Sequence, residues 1–228
     1  MSNVKKTKTY FDSNPKHFQD AIQEYPLMYQ QAATRISPYL HGRVVDVGSG
    51  GILNYDLSKI DALFLVDITT ANKERARKNT FFIHGNVCTL CIGSATVDVV
   101  IMQHLLHHLA DDSLSKTLAH LHAAFSEAYR ILKSGGVILI VEGTVPYSLD
   151  LLQRFLFPLN KRLYKLLFHF PMVLQYAKKT IFQSLHSVGF SVQKTEIVPD
   201  GDILPIFGMN LPRKYIPLRH HFIVAEKK

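Results

Sequence analysis

Arg43-Val44-Val45-Asp46-Val47-Gly48-Ser49-Gly50-Gly51 is a short β-branched run that ends on an acid and opens into glycines. A strand over Arg43–Val47 is predicted. Because glycine lacks a Cβ, the turn that follows lets bare backbone approach a ligand. Asp67, 21 positions beyond Asp46, closes the next apolar run, Ala62–Asp67. A carboxylate there can accept hydrogen bonds from both hydroxyls of a ribose, so the pairing suits an adenosine-containing ligand. A dinucleotide turn would carry a further glycine where Leu53 stands, and no G-x-x-x-x-G-K-[ST] run exists to cradle phosphates.

Outward from this turn, short β-branched runs alternate with longer helical patterns, the signature of an α/β protein with an open parallel sheet. Strands are predicted at Phe81–His84, Val97–Met102 and Val137–Val141, with an abbreviated helix between the first two strands and a polar helix over Thr70–Asn79. Leu114, Leu118, Leu121, Phe125, Ala128 and Leu132 recur three or four apart, so Ser113–Leu132 reads as an amphipathic helix on the sheet, capped by Asp112 or Ser113. Lys133-Ser134-Gly135-Gly136 stops it. After Leu151–Tyr176, rich in Leu, Phe and basic residues, come a helix at Lys179–Val188 and two closing strands, Phe190–Val198 and His220–Glu226, separated by a proline-rich loop. Upstream, Asn14–Tyr39 reads as one or two helices with Pro15 at a first turn.

At 228 residues, 47% apolar and 19% charged, the chain is long enough for one well-buried domain and too short for two with a linker. Its formal charge of +8 draws it toward anionic ligands, nucleic acid or acidic membrane and selects none of them. No apolar run of about 20 residues is free of charges, so no transmembrane helix is expected. The basic start Met1–Lys8 lacks the apolar region of a secretory signal, which points to the cytoplasm. Cys88 and Cys91 form a lone C-x-x-C; without a second pair they read as two small thiols beside a loop, and no metal is expected.

Val44-Val45-Asp46-Val47-Gly48-Ser49-Gly50 resembles the first motif, acidic-x-G-x-G-x-G, of class I S-adenosylmethionine-dependent methyltransferases. Other segments fall in that family's order. Asp67 matches the acidic ribose ligand, Gly85-Asn86-Val87 resembles the adenine-side loop, and Asp98-Val99-Val100 opens the fourth strand. Leu106-His107-His108-Leu109 resembles the "LHHL" segment of the small-molecule branch, and Tyr129–Gly136 resembles its R-x-L-K-P-G-G turn. Ile52 stands where the third glycine would be, and Asn86 where Asp is common.

The resemblance implies a Rossmann-like seven-stranded methyltransferase sheet flanked by helices, with N-terminal cap helices and a helical insertion after the fifth strand. The division expected within a single domain 1–228 is cap helices 1–40, cofactor-binding core 41–145, substrate-lid insertion 146–178, and closing helix and strands 179–228. S-adenosyl-L-methionine is the implied cofactor and S-adenosyl-L-homocysteine the product. The implied cofactor set is Tyr10, Asp46, Gly48, Ser49, Gly50, Asp67, Ile68, Asn86, Val87 and Gln103.

The chemistry implied is in-line displacement at the sulfonium methyl, and a hydroxyl or carbon acceptor benefits from a general base. His107 and His108, just after the fourth strand, and Glu142, ending the fifth, are the candidates to contact or deprotonate the acceptor. Leu163, Leu166, Leu167 and Phe170 share one helical face with Lys161, Arg162 and Lys165 off it. Such a segment forms a lid against the sheet, over an apolar substrate, or rests peripherally on an anionic membrane. A small, partly apolar, lipid-like acceptor is the leading expectation. The alternatives are an RNA methyltransferase, favoured by the charge but lacking an N-P-P-[YF] tetrapeptide, a Pro-Cys nucleophile or an RNA-binding module, and a cofactor-binding protein without catalysis.

Overall fold

β-Branched and apolar residues make up nearly all of Val44–Val47, Leu63–Val66 and Val99–Met102, a composition that suits strands covered on both faces. The computed structural model describes residues 3–14, 20, 23–51, 53–70, 79–167, 170–206 and 209–228. The sheet strands are β1 (Gly42–Val47), β2 (Ile60–Asp67), β3 (Thr80–His84), β4 (Val97–Gln103), β5 (Leu132–Thr144), β6 (Phe190–Ile197) and, beyond a separate hairpin of β7 (Ile203–Ile206) and β8 (Met209–Pro212), β9 (Arg219–Lys227). Seven form one sheet in the order β3-β2-β1-β4-β5-β9-β6. The first five are parallel, while β9 runs antiparallel to both β5 and β6. This is the Rossmann-like methyltransferase sheet expected, with the strand order reversing between β1 and β4, where ligands bind in open α/β sheets.

Helices Leu114–Ile131 and Lys178–Val188 bury Leu121, Phe125, Ile181 and Leu185 on one face, and helix Pro26–Ile36 buries Met28, Ala32 and Ile36 on the other. Ser113 caps the long helix, its hydroxyl accepting the Lys116 N–H at 3.3 Å. Asp98 ties the base of the sheet together by accepting Arg43 N at 2.8 Å and Lys133 Nζ at 2.6 Å.

Several expectations need adjustment. Residues 53–59 form no helix; the segment is irregular with a turn at 58–59, where the Asp56 side chain accepts the Ser58 N–H at 2.9 Å. β5 begins at Leu132, and residues 133–136 sit within it as an irregularity, Val97 pairing with Leu132 and Val99 with Val137. The proline-rich loop contains the β7–β8 hairpin. Within the predicted cap, a helix also lies ahead of those read over Asn14–Tyr39: Asn3–Ser13 buries Asn3, Thr7 and Phe11, spaced four apart on one face. The polar helix read over Thr70–Asn79 falls mostly outside the described residues, as do Pro15 and Ile52.

After β5, helices Tyr147–Phe155 and Phe157–Leu167 form the insertion. It is anchored by buried Asp150, which accepts from Arg154 Nε at 2.6 Å and from Ala177 N at 2.9 Å. Leu163 and Leu166 point outward rather than against the sheet, since the inner side of that helix is occupied by Phe157 and Tyr164. Among the described residues no helix is long and apolar enough to cross a membrane.

Candidate functional site

Asp46, Leu65 and Ile101 are in register across β1, β2 and β4. Side chains alternate along a strand, so Asp67 and Gln103, each two residues further on, project from the same sheet face as Asp46. The glycine turn opens above them. Gly48 adopts φ +71°, and a Cβ there would lie 2.7 Å from Leu105 Cδ1, so only glycine fits this close approach. Asp67 binds the turn to β2: one carboxylate oxygen accepts Gly50 N at 3.1 Å and the other accepts Thr69 N at 3.0 Å. Burial pushes its pKa up against these hydrogen bonds and those of the Thr69 hydroxyl and the Ile68 amide.

Asp46 is fully buried, and Tyr55 donates its hydroxyl to Oδ2 at 2.6 Å. Desolvation outweighs that bond and raises the carboxyl pKa from 3.8 to about 7, with the nearby Asp67 charge adding to the rise. The folded protein therefore retains a proton that the unfolded chain surrenders near 3.8, so this group's contribution to stability is full at low pH and is lost as pH climbs through about 7. The slope is about 1.4 kcal/mol per pH unit at most. Asp46→Asn removes it, so in urea unfolding the variant should gain on the wild type as pH rises from about 5.5 to about 7.5. Two unfolding curves that keep a constant separation would contradict this.

A cleft follows the carboxyl ends of β1, β2 and β4. Gly48, Asp67, Ile68, Asn86, Val87 and His104 form part of its wall, and Thr7 and Phe11 of the N-terminal helix roof it. The roof is pinned by Asn3, whose side chain donates to Ala110 O at 2.7 Å and Met172 O at 2.9 Å and accepts Met172 N at 3.1 Å. Tyr10 is turned away. It lines a second groove, against Lys161, Lys165 and Phe170, and its ring meets Phe170 edge-on at 4.8 Å. Phe11, one position along, faces the cleft and the His108 ring at 5.2 Å. Ser49 lies behind the turn, its hydroxyl accepting Gly51 N at 3.2 Å.

Two buried acceptors, Asp46 Oδ1 and Gln103 Oε1, have no partner among the described residues. Gln103 Nε2 is committed to Asn54 Oδ1 at 3.3 Å. Orphaned buried acceptors are costly. Neither side chain lines the cleft, but a cationic amine within reach of both would satisfy them, and Asp67 lines the cleft where diol hydroxyls would meet its carboxylate. Asn86 already accepts Cys88 N at 2.9 Å through Oδ1, which leaves its amide donors and one lone pair for a purine edge. The donor set therefore fits an aminoacyl nucleoside such as S-adenosylmethionine.

At the far end of β4 and β5 stands an acid–histidine pair. Glu142, 1% exposed, accepts Leu106 N at 2.8 Å and Gly143 N at 3.0 Å, and lies 2.7 Å from His107 Nδ1. Desolvation works to raise its pKa, but the charge and hydrogen bond of His107, then His104 and the Leu106 amide, hold it below the usual value. An ionised carboxylate only accepts, so His107 Nδ1–H donates this hydrogen bond, which fixes the ring's orientation and leaves Nε2 as its other nitrogen. His108 stacks beside it, ring centroids 4.1 Å apart.

Sequence reasoning missed a second such pair. His220 Nδ1 bonds Asp200 Oδ2 at 2.7 Å, and Arg213 Nε donates to Asp200 Oδ1 at 2.6 Å. His104 joins the two pairs, its ring 5.3 Å from that of His220. Burial, and then the His220 charge, drive its pKa down to about 3, so it stays neutral. It is also one of three non-glycine residues described with positive φ, at +49°. Strained backbone of this kind clusters at functional sites. Cys88 lines the cleft as a thiol; burial, then the Glu127 charge, raises its pKa to about 11, so it is no nucleophile at neutral pH.

The methyltransferase domain family model matches residues 45–140. No curated protein sequence matches. Several solved structures share the fold. A Haloferax volcanii putative methyltransferase, in complex with the Trm112 methyltransferase activator, is 16% identical with TM-score 0.69, over 96% of each chain. Burkholderia thailandensis 1,6-didemethyltoxoflavin-N1-methyltransferase, with its acceptor and S-adenosylhomocysteine bound, is 14% identical with TM-score 0.65, over 99% of this chain and 88% of its own. Streptomyces coelicolor geranyl diphosphate C-methyltransferase is 13% identical with TM-score 0.60, over 86% and 78%.

Proposed function

With residues 45–140 matching the methyltransferase domain family model and the sheet sharing the fold of solved methyltransferases, we propose that this chain is an S-adenosylmethionine-dependent methyltransferase acting on a small, partly apolar acceptor enclosed beneath the Asn3–Ser13 helix. The observation that carries the reading is the roof. Three hydrogen bonds from the buried Asn3 side chain lay Thr7 and Phe11 over the cleft, and a polynucleotide would have to displace them. The two small-molecule enzymes of this fold lend support, one methylating a toxoflavin precursor and the other geranyl diphosphate, as their names state.

The cofactor supplies an electrophilic methyl on sulfur. Asp67 would hold the ribose hydroxyls, Asp46 and Gln103 the amino group, and the Asn86–Val87 backbone turn the adenine. His107, its Nδ1–H held by Glu142, would take the acceptor's proton on Nε2. Phe11, Leu105 and Leu109 exclude water, which strengthens each of these polar contacts. The whole chain works as one unit in this reading, with 146–178 on the acceptor side.

The experiment is label transfer. S-adenosylmethionine with a labelled methyl group is incubated with the protein and a cell extract, which is then divided into organic-soluble, aqueous small-molecule and RNA fractions. Label should enter the organic-soluble fraction. Label found only in RNA would overturn the reading.

A further inference from the structure

We propose that the outward apolar stripe of the insertion, with its basic rim, seats this enzyme on an anionic lipid bilayer. Twelve large apolar side chains are exposed among the described residues, and seven of them, Tyr147, Leu151, Leu152, Phe155, Leu159, Leu163 and Leu166, fall within twenty residues. Leu151, Phe155, Leu159, Leu163 and Leu166 follow one another at intervals of three or four, so one stripe continues across both helices. Phe155 is 83% exposed and Leu166 80%. This orientation is enforced from inside by Phe157, buried in the core, and by Asp150, held by Arg154 and Thr180. A single exposed Leu needs no explanation, but a continuous rail of them does.

The charge around the rail selects the occupant. Between residues 147 and 179 the only acid is Asp150, buried and ion-paired with Arg154; Lys161 pairs with Asp112 at 3.3 Å, and Arg162, Lys165, Lys178 and Lys179 add four further positive charges. Lys179 Nζ sits 4.6 Å above the Tyr147 ring, at the edge of the stripe. A second copy docked here would bring the same cations, Arg162, Lys165, Lys178 and Lys179, against this one, with Asp112 already engaged by Lys161. Lipid phosphates meet both needs, taking the rail into the acyl boundary and the cations at the headgroups. The surface is also continuous with the site. Lys161 and Lys165 line the groove that runs to Tyr10 and Phe170, and Phe170 lies 5.9 Å from His108.

The test is flotation of the full chain with vesicles of phosphatidylcholine alone or mixed with an equal part of phosphatidylglycerol. Binding is expected to the anionic vesicles, weak to the neutral ones, and falling as salt is raised. The double variant Phe155→Glu, Leu166→Glu should lose at least tenfold in bound fraction. Arg162→Glu with Lys165→Glu should abolish the preference for anionic vesicles. All four positions avoid the cleft, so every variant should still bind S-adenosylhomocysteine, which separates a failure of docking from a failure of the methyltransferase reading. Absence of wild-type binding, undiminished binding by the apolar double variant, or a solution dimer that the double variant dissolves would each overturn the proposal.

Discussion

Asp67→Ala is expected to weaken S-adenosylhomocysteine binding by about two orders of magnitude or more, since two charge-assisted hydrogen bonds to a ribose diol contribute about 3 kcal/mol together. The same change releases the amides of Gly50 and Thr69, so the turn that meets the ligand loses its tether to β2 as well. Asp67→Asn keeps an acceptor and removes the charge, and should fall between the two. Isothermal titration reads the affinity. The shift in Tm on adding ligand reads it independently, and checks that the variant is folded. A variant that folds, binds as the wild type does and keeps the full ligand-induced shift would remove Asp67 from the site.

His107→Ala should lower methyl transfer to the acceptor about 100- to 1000-fold while leaving S-adenosylhomocysteine affinity within about twofold, the range general bases contribute. Glu142→Gln should do nearly as much. An amide in place of the carboxylate offers N–H groups where Leu106 N, Gly143 N and His107 Nδ1 all need an acceptor, so the ring loses the partner that fixes its tautomer. Added imidazole should restore part of the rate to His107→Ala and little to Glu142→Gln, whose histidine still fills the space. Equal loss of cofactor binding in both variants would make the pair structural instead.

The strands, the glycine turn and Asp67 were legible because each rests on local chemistry: β-branched residues for extended backbone, glycine for positive φ at Gly48, an acid at a strand end. The His107–Glu142 pair was half legible. Each residue ends or follows a strand that sequence periodicity located, but their meeting depends on β4 and β5 being neighbours. His220–Asp200 joins segments 20 residues apart through a loop whose hairpin left no pattern in the sequence. The roof helix hid because its face is polar: Asn3, Thr7 and Phe11 stand four apart, a helical spacing visible once Asn and Thr are allowed as buried residues. That spacing also chooses Phe11 over Tyr10 for the cleft. The apolar stripe was visible, but a helix facing a core and one facing a bilayer show the same periodicity. Only the burial of Phe157 and Asp150 on the opposite side reveals which way it looks.

The central claim is that the cleft between Gly48 and Asp67 is where S-adenosylmethionine binds for methyl transfer. Isothermal titration of S-adenosylhomocysteine into the folded wild-type chain, with Asp67→Ala measured beside it, tests this most directly. One site per chain in the wild type and about 100-fold weaker binding in the variant are expected. No heat from the folded wild type, or equal affinity in both proteins, would contradict it.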